Sequence, residues 1–246
     1  AYVRAEWAGY AVGIFEAARD IGEPCPAGST MLDGQSYTVT GGGLDIWQTG
    51  DQFQFAYRRA TGDFSMVAHV ENRIWAPGSR WGKVGIMARE NHGARARYAM
   101  IQTHGEDLQD ADRFAGRRTT NGSDNFEQTT LAGGEHRDWM RLDRVGNVFS
   151  GFLSIDGADW QLMGSMNWGE GAPRTVLLGL GVCPHSETAG GCPQASITFG
   201  YIEITGGDGP QDPLTPQGGT ISWSGSRSLL KGAGLSYRIT GLGLVG

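Results

Sequence analysis

Several side-chain groupings in this chain have compositions that chemistry could use, and the acids come first. Glycoside hydrolysis needs two carboxylates ~5–10 Å apart across the scissile bond. Residues two apart on a strand share a face, so Glu-x-Asp-x-x-Glu is the pattern to seek, and it is absent. Glu203 in 201–205 and Asp143 in 139–145 each stand alone. The sequence therefore predicts no enzyme. Asp107, Asp110 and Asp112 gather hard oxygen ligands in one acidic run and form a candidate calcium site, although the glycine turn of a calcium loop is missing. Apart from that candidate, no cofactor is expected.

Aromatic residues offer a second chemistry. Trp and Tyr faces stack on pyranose rings while neighbouring polar groups read hydroxyls. Trp75 and Trp81 fall in the longer connection 71–80 or just beyond it and are the candidate sugar-stacking pair; Trp47 and Trp168 also lie in or beside loops. The competing expectation is burial, since large sandwiches bury Trp routinely. The histidines at 69, 92, 104, 136 and 185 show no metal-ligand spacing. No phosphate-cradling glycine loop or nucleophile–base constellation is present.

The elements that would position these residues are short strands. Phe53, Phe55 and Tyr57 alternate with Gln54 and Ala56; Phe64, Met66, Ala68 and Val70 alternate with Ser65, Val67 and His69; Val84, Ile86 and Ala88 alternate with Gly85, Met87 and Arg89. A period of two puts one set on a buried face and the other opposite. Gly62-Asp63 and Asn91-His92-Gly93 break the runs where a sheet turns back. Strands at 37–40 and 98–102, a short one near 113–118, and others at 139–145, 147–155, 160–163, 176–182 and 197–205 complete an antiparallel all-β domain. Gly accounts for 41 of 246 residues, more than twice the usual ~7 %, which suits many tight turns.

The run YTVTGGGLDIWQTGDQFQFAYRRATGDFSMVAHV, followed by WGKVGIMARE, WMRLDRVGNVFSGFLSIDGADWQLMG and ASITFGYIEIT, resembles secreted bacterial jelly-roll modules of the concanavalin A-like lectin/glucanase and laminin-G-like group. The resemblance covers roughly residues 15–205. It implies a jelly-roll β-sandwich of two antiparallel sheets, often attached to other domains and often without known activity.

Charge and cysteine usage narrow the setting. A net charge of −6 leaves no basic footprint for nucleic acid, and Arg95/Arg97 and Arg117/Arg118, set among acids, read as a solvated face. No apolar run reaches the ~20 residues that span a bilayer. The first residue is Ala1 rather than Met, which suits a chain after signal-peptide cleavage and a secreted or cell-surface location. Three cysteines allow three pairings. Cys183 with Cys192 is favoured because the loop between them is short, leaving Cys25 free; pairing of Cys25 with either of the others remains open.

The ends of the chain suggest assembly. Residues 1–14 form a strand-like arm carrying Val3, Trp7, Tyr10, Val12 and Ile14. It is either the sandwich's own edge strand or a strand lent to a neighbour. A Gly/Pro linker at 206–219 leads to two more strand-like runs at 220–246, with Ile221, Trp223, Leu235, Tyr237 and Ile239. The expectation is a non-catalytic extracellular subunit that polymerises with copies of itself through these strands into a filament, sheath or surface layer. A lectin-like carbohydrate-binding or adhesion module is the alternative.

Overall fold

The computed structural model describes residues 10–48, 50–105, 112–122, 125–128, 137–185 and 192–208. Strands β1 (Tyr10–Val12), β2 (Phe15–Ile21), β3 (Ser29–Asp33), β4 (Ser36–Gly41), β5 (Ile46–Trp47) and β6 (Gly50–Asp51) open the chain. There follow β7 (Phe53–Thr61), β8 (Phe64–Ile74), β9 (Lys83–Arg89), β10 (Tyr98–His104), β11 (Arg113–Arg117) and β12 (Asn125–Gln128). The last are β13 (Trp139–Val145), β14 (Val148–Ser154), β15 (Gln161–Asn167), β16 (Thr175–Cys183) and β17 (Ala195–Gly206).

They form a two-sheet antiparallel sandwich. The first sheet runs β1-β2-β7-β16-β9-β10-β11-β12, the second β15-β14-β13-β8-β17-β4-β3, and β5-β6 is a separate small hairpin. The strands read from the sequence at 37–40, 53–57, 64–70, 84–89 and 98–102 all lie within observed strands. Between β7 and β8 the chain reverses at Gly62, whose φ of 81° is one that a side chain would strain.

One core lies between the sheets. Val39, Met66, Met140, Leu142, Phe149 and Phe199 from the second sheet meet Ala56, Ile86, Ala99, Ile101, Leu178 and Leu180 from the first. The alternate residues of the first sheet do not face water as a simple inside–outside alternation would have them. Phe53, Phe55, Tyr57, Met87, Tyr98 and Met100 form a second cluster with Ile46 and Cys183. The β5-β6 hairpin covers this outer face, so β9 and β10 are buried at every position.

The cover is fastened by charge. Asp51 sits between Arg89 at 2.7 Å and Arg117 at 2.6 Å, all three with unexposed side chains. Arg117 also donates to the carbonyls of Gln48 and Ala96, and the Tyr98 hydroxyl donates to Ile46 O at 3.2 Å. The solvated arginine face expected from the sequence is thus corrected at two of its positions: Arg117 is fully buried and Arg97 is 9 % exposed. Arg97 donates to the carbonyls of Trp168 and Gly171.

The disulfide expectation is also corrected. Cys25 pairs with Cys192, their Cα atoms 5.0 Å apart. Cys183 is a buried free thiol. It ends β16 on the outer face of the first sheet, where its Sγ lies 3.6 Å from Gly43 O, and burial pushes its thiol up to about 12. Proximity in sequence lost to the direction in which the strand presents its side chain.

The described part of the N-terminal arm pairs within its own chain. In β1, Tyr10 is opposite Ala18 and Val12 opposite Phe15; Val12 joins the main core, and Ile14 is 42 % exposed. Val3 and Trp7 lie outside the described residues, as do Ile221, Trp223, Leu235, Tyr237, Ile239 and all of 209–246. Among the described residues no helix is long and apolar enough to cross a membrane.

Candidate functional site

Where β9 begins and β10 and β16 end, the hairpin cover stops and the outer face of the first sheet opens into a cleft of about 490 Å3. The register builds its floor: Lys83 is opposite His104 on one side and Cys183 on the other. Arg113, the first residue of β11, and Glu127 on β12 extend the wall. Asp45 and Trp81 arrive from the flanking connections, Trp47 from β5, and His185 from just past β16.

Every charged side chain in the cleft is held by an opposite partner. Asp45 Oδ1 accepts from Lys83 Nζ at 2.5 Å, and Lys83 also donates to Trp81 O at 3.2 Å. His185 Nε2 lies 3.2 Å from Asp45 Oδ2. Burial would push the Asp45 carboxyl up, but the His185 hydrogen bond and the Lys83 charge outweigh it and hold the group below its ordinary value. On the far wall Arg113 Nη1 donates to Glu127 Oε1 at 2.5 Å.

His104 behaves differently. Burial first, and then the Arg113 and Lys83 charges, push its imidazole well below 6.5, so it stays neutral. Its Nε2 lies 3.2 Å from the Gln102 amide nitrogen.

Trp81 supplies the apolar surface. It is 42 % exposed, stands edge-on to His104 with ring centroids 6.1 Å apart, and carries the Arg113 guanidinium 5.7 Å from its ring centre. An aromatic ring beside fixed donors and acceptors can take a ring's C–H face while the polar groups read its oxygens.

The sequence-predicted residues divide. Trp81 and Trp47 line the cleft. Trp75, the other predicted stacking residue, is half-buried and packs against the main core, crowding the backbone of Gly82. Trp168 is core, with Phe149 at 4.3 Å. Asp112, from the candidate calcium run, is fully buried, and its carboxylate accepts the His104 N–H at 3.2 Å. Asp107 and Asp110 lie outside the described residues. Among the described residues no three His, Cys, Asp or Glu side chains form a metal-holding group. Sequence reasoning missed Asp45, Lys83, Glu127 and the cleft role of His185. They come from separate connections and strands, so no spacing rule joins them.

By sequence, no protein-family profile and no curated protein matches this chain. Among solved structures it is similar to a functionally unknown protein from Saccharomyces cerevisiae, at TM-score 0.54 and 18 % identity over 77 % of this chain and 96 % of that one. It is also similar to a mutant of the GH43 protein BlXynB from Bacillus licheniformis, at TM-score 0.50 and 11 % identity over 77 % of this chain. This chain spans only 39 % of BlXynB. The carbohydrate-binding module CBM66 from Bacillus subtilis matches at TM-score 0.45 and 14 % identity, over 79 % of this chain and 98 % of that one. At these identities the likeness is one of fold alone.

One expectation is overturned. The prediction of no enzyme rested on a missing strand motif, yet a similar fold occurs within BlXynB, a GH43 protein. The motif also tests only carboxylates on a single strand, whereas Asp45 and Glu127 reach one cleft from separate elements.

Proposed function

We propose that this domain binds carbohydrate in the cleft around Trp81. The observation that carries the reading is the Trp81 ring, 42 % exposed, at a cleft whose Asp45, Lys83, Arg113 and Glu127 side chains are already fixed by mutual ion pairs. Preorganised polar groups beside an apolar platform bind a ligand without ordering costs of their own. The Cys25–Cys192 bond supports an oxidising location, outside the cytoplasm.

Glycan-array binding of the full chain, repeated with Trp81→Ala, tests the reading. Loss of about 1–2 kcal/mol, roughly five- to thirtyfold in affinity, is expected. A silent array, or binding unchanged by Trp81→Ala, would reject it. Chromatography of the bound sugars after incubation separates binding from turnover. Polymerisation through terminal strands has less support, because the described end of the arm, β1, is already paired with β2 of the same chain.

A further inference from the structure

We infer that the domain carries a second saccharide site, at the turn joining β14 to β15, separate from the Trp81 cleft. A cleft of about 480 Å3 opens there, lined by Arg137, Ile155, Asp156, Asp159, Trp160 and Gln161 among others. It shares no lining residue with the Trp81 cleft and belongs to the other sheet. The inference stands on its own residues, not on the Trp81 reading.

The turn is rigidly built. Asp156 Oδ1 accepts from the Ser154 hydroxyl at 2.9 Å and from the backbone N–H groups of Ala158 and Asp159 at 2.8 and 2.9 Å. Gly157 turns at φ 77° with its backbone against Trp139, so close that a Cβ would lie 2.8 Å from the indole. The half-buried Trp160 ring is held by the Arg141 guanidinium, 4.8 Å from its centre, and Arg141 is itself fixed 4.1 Å from the centre of the Phe152 ring.

These contacts leave a set of groups suited to hydroxyls. The Asp156 and Asp159 carboxylates line the cleft as acceptors. Arg137 Nη1 and Gln161 are already joined at 3.3 Å, and their remaining N–H groups can donate. A sugar hydroxyl both donates and accepts, so adjacent hydroxyls satisfy a carboxylate and an amide together while the sugar's C–H face meets Trp160. Two carboxylates against one guanidinium leave the lining net negative, which disfavours acidic sugars. The ligand class is a neutral saccharide with vicinal hydroxyls.

The test follows the indole N–H signals of Trp160 and Trp81 by 1H–15N NMR on the full chain, each assigned by its Trp→Phe variant. The probes are neutral xylo-, cello-, manno- and fructo-oligosaccharides at millimolar concentration, with glucuronic acid as the acidic control. The Trp160 signal should shift saturably with at least one neutral probe, and Asp159→Asn should weaken that binding about tenfold. Trp81→Ala should leave it unchanged. A Trp160 signal unmoved by every neutral probe, or moved equally by glucuronic acid, overturns the second site. If Trp81 alone responds, only the second site fails; if Trp160 alone responds, the second site stands and the Trp81 reading fails.

Discussion

The Asp51 carboxylate meets the Arg117 guanidinium at 2.6 Å, and neither side chain is exposed to solvent. With Arg89 on the other oxygen, this one acid bridges two buried cations and pins the β5-β6 hairpin over the outer face. Breaking a buried pair by removing one partner strands the remaining charge, at a cost of about 3–5 kcal/mol. Asp51→Ala should therefore lose about that much stability in urea unfolding. A loss below ~1 kcal/mol would show that the cluster does not fasten the cover.

The cysteines predict a simple thiol titration. Native protein should show no reactive thiol, because Cys183 is buried and free and burial keeps its thiolate scarce. Denaturation should expose one thiol and subsequent reduction two more. Removing the Cys25–Cys192 bond, which closes a separation of 167 residues, should cost about 2–5 kcal/mol. A fast-reacting native thiol would contradict the pairing.

Asp112 should make stability depend on pH. Burial raises its carboxyl from 3.8 to about 7, against the lowering effect of the His104 N–H. Between those values the folded state holds a proton that the unfolded chain has released, so this group's contribution falls as pH rises through the window. His104 acts in the opposite sense: below 6.5 the unfolded chain takes up a proton that the buried imidazole refuses. Asp112→Asn isolates the first effect and should gain stability relative to wild type between about pH 4 and about pH 8. A constant difference across that range would count against it.

Two glycines in the first sheet and its cover give a matched contrast. A Cβ at Gly179 would lie 1.9 Å from Ala56 O, in the backbone of the neighbouring strand, whereas one at Gly50 would meet nothing within 4 Å. Gly179→Ala should cost about 1–3 kcal/mol through forced strand separation. Gly50→Ala should stay within about 0.5 kcal/mol. Equal melting shifts for the two would mean that β7 and β16 can part without penalty.

Much of the fold was legible because alternation is local. Phe64, Met66, Ala68 and Val70 announce a buried face within seven residues, and the structure buries all four. What alternation does not state is the fate of the opposite face. Met87 and Arg89 read only as the set opposite the buried face, and a hairpin more than thirty residues earlier in the chain covers them. The candidate cleft was legible at Trp81 and Trp47, whose rings advertise themselves. Lys83 and Asp45 are 38 residues apart, and no local period relates residues in a strand and a loop. Cys192 likewise bonds across the domain to Cys25 rather than to its neighbour in sequence.

The double covering of β9 and β10, buried at every position, also has a kinetic consequence. To free one of their amides, the chain must part the sandwich on one side or lift the hairpin with its ion cluster on the other. The outer edges β1 and β12 can open without either event. These two inner strands should exchange their amide protons last, at rates set by global unfolding.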